Sequence, residues 1–216
     1  MRVISVNVGF PRPVSGRGGM VMTGIFKDPV AGRVRVRRLN LEGDGQADLS
    51  VHGGPDKAVY AYPSEHYPFW RGELPGCELT WGAFGENLTT EGWWEDEVHL
   101  GDRFRIGTAE MVVTQPRMPC FKLGLRFGRD DVIARFLESG RPGFYLRVLA
   151  EGEVAAGDPC ERIAEDPGRV PVADVVRLYL DRREQPSAAD RDLLERATRV
   201  EALPESWREL FLRRLE

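Results

Sequence analysis

Short runs with period-two alternation fill the first two thirds of the chain. RVISVNV, Arg2 to Val8, is β-branched and loosely alternating, which predicts a strand. Pro11 to Gly19 is rich in Pro, Gly and Ser and predicts a loop. Between Gly24 and Val36, GIFKDPV, a turn at Ala31-Gly32 and the start of RVRVRRLNL predict a hairpin, with Arg33, Arg35 and Arg37 on one solvated strand face. Ala58 to Tyr62 reads as a buried strand or a helix start, and SEHYPFW beyond it as a short aromatic helix that Pro68 interrupts. From Val98 to Gln115, Gly101-Asp102 and Gly107-Thr108 punctuate short alternating strands, the spacing of a β-barrel or sandwich. The period then lengthens. RDDVIARFLES predicts an amphipathic helix with Val132, Ile133, Phe136 and Leu137 on one face, Asp130 and Asp131 at its start and Gly140 at its end. Strand character resumes from Arg141 to Val154, with a turn at Glu151-Gly152.

Near Ile163 the pattern changes for good. Asp166-Pro167-Gly168 reads as a linker, and three helical segments follow: VADVVRLYL from Val172, SAADRDLLERAT opened by Ser187 with Asp190 as a capping-box-like pair, and PESWRELFLRRL opened by Pro204. The expected organisation is a mainly β domain over residues 1–163 and a small three-helix bundle over 164–216.

Charge and cysteine use narrow the function. A net charge of −4 over 216 residues, with no long basic run, argues against general nucleic-acid affinity. The terminal helices are not basic overall either, so they read as a packing or docking module rather than a DNA reader. Cys77, Cys120 and Cys160 lie far apart, with neither CxxC nor zinc spacing, which fits a reducing compartment. The first residues lack the apolar core of a signal peptide, and no apolar run approaches membrane-spanning length, so the expected location is cytoplasmic, without a membrane partner.

Two stretches carry candidate chemistry. In TQPRMPCFKLGLRFG, Thr114 to Gly128, Pro116 and Pro119 make the approach to Cys120 stiff and extended, while Arg117, Lys122, Arg126 and Arg129 surround the thiol with positive charge. Such surroundings favour the thiolate, the form that attacks and binds metals; the alternative is a small buried hydrophobe. In His52-Gly53-Gly54-Pro55-Asp56-Lys57, two glycines permit close backbone approach and two side chains can donate to an anion. A glycine-rich turn with a capping histidine is the alternative, and the spacing is not that of a P-loop. In WGAFGENLTTEG, turn chemistry alone accounts for Asn87.

Three stretches in this order, ADLSVHGGPDKAV, GAFGENLTTEG and GDRFRIG…VTQPRMPCFKLGLRFG, resemble the MOSC domain of the YiiM type, over Met1 to about Ile163, and the terminal helices resemble the appendage that follows it. The resemblance implies a MOSC-type β-barrel, a molybdenum cofactor (molybdopterin) in a basic cleft, and Cys120 as molybdenum ligand or sulfur acceptor. It implies reduction of N-hydroxylated compounds, such as N-hydroxylated purine bases, to amines. The alternatives it leaves open are a sulfur-transfer enzyme carrying a persulfide on Cys120 and a non-catalytic cofactor carrier. His52, Gly53, Lys57 and Arg117 would face the cofactor phosphate, Asn87 and Thr114 the pterin edge, and Arg141 is a further cofactor contact. The three scattered cysteines cannot form a four-thiolate cluster, so electrons are expected from a separate flavin or iron–sulfur reductase. The oligomeric state is left open, with a homodimer as one option.

Overall fold

A computed structural model of the chain describes residues 1–16, 18–181 and 183–216. The strands, in chain order, are β1 (Arg2–Val8), β2 (Arg12–Gly16), β3 (Gly19–Thr23), β4 (Asp28–Pro29), β5 (Val34–Val36), β6 (Val59–Pro63), β7 (Leu88–Glu91), β8 (Arg103–Ile106), β9 (Ala109–Pro116), β10 (Phe144–Ala150), β11 (Gly152–Val154) and β12 (Cys160–Ala164). The helices are α1 (Leu49–His52), α2 (Tyr67–Glu73), α3 (Phe121–Phe127), α4 (Val132–Glu138), α5 (Val172–Leu180), α6 (Ala188–Arg199) and α7 (Glu205–Leu215).

The main sheet is ordered β12-β8-β9-β10-β6-β7-β1-β4. Its ladders are antiparallel except β6–β7, which is parallel. The barrel expectation needs correcting in one respect: among the described residues no ladder closes this sheet into a ring. What draws β1 and the approach to β12 together is a bridge between Arg2 and Pro159, flanked by Val3 N to Asp158 O (2.9 Å) and Cys160 N to Met1 O (3.1 Å). The expected hairpin within 24–36 is also absent. There β4 pairs with β1 and β5 with β11, while the hairpin lies earlier, β2 against β3. Local alternation sets which side chains of β5 point inward, Val34 and Val36, but not which strand it joins. The arginines beside them are solvated as expected, Arg33 pairing with Asp158 and Arg35 lying near Glu153.

Strand β9 sits between β8 and β10 and is almost wholly buried, because the core covers one face and α5 lies against it. That burial explains the consecutive apolar residues Met111, Val112 and Val113. It ends at Pro116, and the chain then extends to Cys120, the residue before α3. Gly128 at φ 64° stops α3, a conformation glycine adopts without strain. One cluster of buried side chains runs from the sheet into the terminal helices and includes Val113, Leu146, Val175, Leu194, Trp207 and Phe211. Helix α6 is capped as expected, Ser187 Oγ accepting from Asp190 N at 3.2 Å. A second cluster, mainly aromatic, joins Tyr62, Trp70, Phe84 and Phe136 under α2–α4. Among the described residues no helix is long and apolar enough to cross a membrane.

Candidate cofactor cleft

The chain beyond β9 and the turn after α1 meet at one cleft of about 640 Å³, open to solvent. Cys120, half-buried, lines it with Arg117, Met118 and Lys122; His52 and Lys57 come from the HGGPDK turn; Tyr60 and Tyr145 come from β6 and β10. Residues 23–25, Lys27 and residues 44–47 form further wall. Here two backbones touch: a Cβ on Gly24 would stand 2.3 Å from Gly45 O, so only glycine fits.

Arg117 is the residue best explained by a ligand. It is 5% exposed, and its guanidinium carbon lies 4.9 Å from the Phe136 ring centroid and 5.6 Å from that of Tyr60. Its backbone is held by Gly143 O (3.2 Å), and Gly143 N donates in turn to Glu95 Oε1 at 2.8 Å. Gly143 has φ 63°, and a Cβ there would meet Ala61 O at 2.4 Å. Buried donors almost always have partners, yet Nη1 of this arginine has none among the described residues. His52 is half-buried and its pKa is lowered, first by burial and then by Lys122, Lys57 and Arg117, with Asp48 opposing. Burial likewise lowers Lys57, against Asp56. This wall therefore concentrates cations in partial shelter from water, the arrangement an anion relieves.

Three expected cofactor contacts do not line the cleft. Gly53 packs on its own helix, where a Cβ would lie 2.6 Å from Leu49 Cδ2. Thr114 is buried, its hydroxyl 2.7 Å from Asp56 O and 3.1 Å from Tyr145 O, so it fastens the turn instead of facing a ligand. Arg141 lies over the Phe69 ring at 4.2 Å and donates to Ser139 O at 3.0 Å. Asn87 does line the cleft, but its amide is in structural use: Nδ2 donates to Asp44 Oδ2 (2.8 Å) and Oδ1 accepts from Tyr60 N (3.0 Å).

Sequence reasoning missed Lys27 and Asp44. Both are buried, both line the cleft, and Lys27 Nζ donates to Asp44 Oδ1. They are 17 residues apart and belong to no motif. One compositional signal could have found the lysine. Arginine fills 27 of the 30 Lys and Arg positions, and the three lysines, Lys27, Lys57 and Lys122, all line this cleft. Among the described residues no group of three or more His, Cys, Asp or Glu could hold a metal ion, so Cys120 offers a cofactor-borne metal a single thiolate.

The sheet and the terminal helices together are those of the MOSC-domain proteins, and the chain belongs to that family. The MOSC domain matches residues 48–161, and the YiiM-like, 3-alpha helix domain matches 170–216. Particular relatives are the Bacillus subtilis (strain 168) protein YflK, 42% identical over 98% of this chain and 93% of that protein, and Escherichia coli (strain K12) Protein YiiM, 44% identical over 65% of this chain and 63% of that protein. A Gibberella moniliformis protein named Reductase is 38% identical over 65% of this chain, a match spanning 26% of that longer protein. The crystal structure of YiiM from Geobacillus stearothermophilus superposes with a TM-score of 0.79 at 36% identity, covering 100% of this chain and 99% of the other.

Proposed function

We propose that the cleft binds a molybdenum cofactor with Cys120 as metal ligand, and that the loaded protein reduces N-hydroxylated compounds to amines. The observation that carries the reading is the pairing of a half-buried thiol with a buried, unpartnered guanidinium N–H in one cation-lined cleft. A ligand with a phosphate at one end and a thiolate-seeking metal at the other satisfies both. The name of the fungal relative adds support for redox chemistry.

In this reading Arg117, Lys57 and His52 hold the phosphate. Arg117 gives direction through its planar fork, fixed between two rings, and the other two supply charge-assisted donors. Cys120 fixes the metal end, and soft sulfur suits such metals. Tyr60 and Tyr145 form an apolar floor that limits water. When bound, the cofactor supplies the two electrons that cleave the N–O bond, drawn from a separate flavin or iron–sulfur reductase. The test is anaerobic turnover of an N-hydroxylated base by protein produced with the cofactor available, using a strong artificial donor. Amine formation that disappears in Cys120→Ala is the expected result. Tight cofactor binding without amine formation would instead favour a carrier, and a persulfide on Cys120 without bound molybdenum a sulfur-transfer enzyme.

A further inference from the structure

Reducing R–NH–OH to R–NH2 breaks one N–O bond, consumes two electrons and two protons, and releases water. The electrons come from a flavin or iron–sulfur donor in the reading above, on which this inference rests. The protons need a source in the cleft. Most of its titratable side chains are poor ones. Arginine keeps its proton throughout the working range, which removes Arg117. Burial raises both Tyr60 and Tyr145, and the Tyr60 hydroxyl already donates to Pro142 O at 2.7 Å. His52 and Lys57 donate to the cofactor phosphate in that reading and are not spare. Cys120 is the metal ligand.

Lys27 stands apart from the phosphate-binding cations in its surroundings. It is 7% exposed, its ammonium donates to the Asp44 carboxylate, and Glu86 is the other charged group acting on it. Asp44 is itself fixed by Gly9 N at 3.0 Å and Asn87 Nδ2 at 2.8 Å, so the ammonium has a rigid anchor. The carboxylate takes one of the three N–H bonds. The use of lysine here is informative because this chain fills nearly every other basic position with arginine. Arginine would preserve the charge but could not release a proton.

We propose that Lys27, clamped by Asp44 in the cleft wall, is the proton donor of the site and gives its ammonium proton to the oxygen that leaves as the N–O bond is reduced. That oxygen departs as water. The second proton reaches nitrogen from solvent, and the Lys27 amine is reprotonated through the open mouth of the cleft. Burial lowers the pKa of Lys27 more than Asp44 restores it, which makes the ammonium a stronger acid than an exposed one.

The experiment uses cofactor-loaded protein labelled with [ε-15N]lysine, which contains only three lysine side chains. Lys27→Arg keeps the charge opposite Asp44, and the double variant Lys27→Met/Asp44→Asn removes the pair without stranding a buried carboxylate. Both should retain molybdenum and lose turnover by about 100-fold or more, the usual scale of general acid catalysis. The wild-type Lys27 resonance, identified by its absence in Lys27→Arg, should titrate below the ordinary lysine value of about 10.4. Turnover of Lys27→Arg within about threefold of wild type overturns the proposal. If loaded wild-type protein forms no amine at all, the reductase reading fails, and the resonance decides the lysine separately: titration at or above the ordinary value overturns its role as an acid.

Discussion

Arg117→Met separates a binding residue from a structural one, because the first role predicts lost anion affinity and the second lost stability. Methionine keeps an unbranched side chain between Tyr60 and Phe136 but removes every guanidinium N–H. Losing the contacts with those rings costs about 0.5–2 kcal/mol. Removing a buried donor without a partner returns about 1–3 kcal/mol. The difference of these terms runs from a loss of about 1 kcal/mol to a gain of about 2.5 kcal/mol, so the free protein should lose no more than about 1 kcal/mol. Anion binding should behave otherwise. A hydrogen bond to a charged group contributes about 1.5–3 kcal/mol, so affinity should fall about 10- to 150-fold. Urea unfolding gives the first quantity. Sulfate titration of the unloaded protein, with cofactor content after loading, gives the second. A loss of more than about 3 kcal/mol in stability with unchanged sulfate affinity would refute the reasoning, because Arg117 would then be a strut and not a ligand.

Three further outcomes follow from individual contacts. Because burial and neighbouring cations lower the pKa of His52, its contribution to stability is present above the unfolded value of about 6.5 and is lost as pH falls below it. A bound anion reverses that penalty, so sulfate, which remains a dianion, should bind more tightly from pH 8 to pH 5; flat affinity across that range would remove His52 from the site. Trp207→Phe leaves buried Gln115 Oε1 without its 2.7 Å donor and should cost about 1–3 kcal/mol in urea unfolding; an unchanged midpoint would mean that α7 is not anchored there. Burial pushes the Cys160 thiol up to about 12, whereas Cys77 and Cys120 are half-buried. A thiol reagent at pH 8 should therefore modify at most two sulfurs in the folded protein, and fast reaction at three would contradict the burial of Cys160.

How much of this was legible in the chain depends on the range of the interaction concerned. The terminal helices were readable because Ser187 and Asp190 cap α6 locally and the apolar period continues beyond them. Strand β9 was readable from the turn residues Gly107-Thr108 that precede it, and Cys120 from the prolines and cations around it. The partner of β5 was not, since β11 lies more than a hundred residues away and period-two alternation carries no pairing address. Helix α3 was also hidden, because it is only seven residues long and carries Gly124 at its centre, which weakens the signal of the Leu123–Phe127 spacing that buries its inner face. Arg141 follows a helix end, where the sequence does not show what it packs on; the nearby Phe69 ring holds it. The Lys27–Asp44 pair has no local signature. Only the scarcity of lysine marks one of its members.

The central claim is that Cys120 holds the metal of a bound cofactor. Molybdenum content per chain, measured on wild type and Cys120→Ser produced side by side with the cofactor available, tests it most directly. The account predicts about one molybdenum per wild-type chain, from a single thiolate ligand per cleft, and little in the variant despite unchanged folding. Equal molybdenum in both proteins would contradict it.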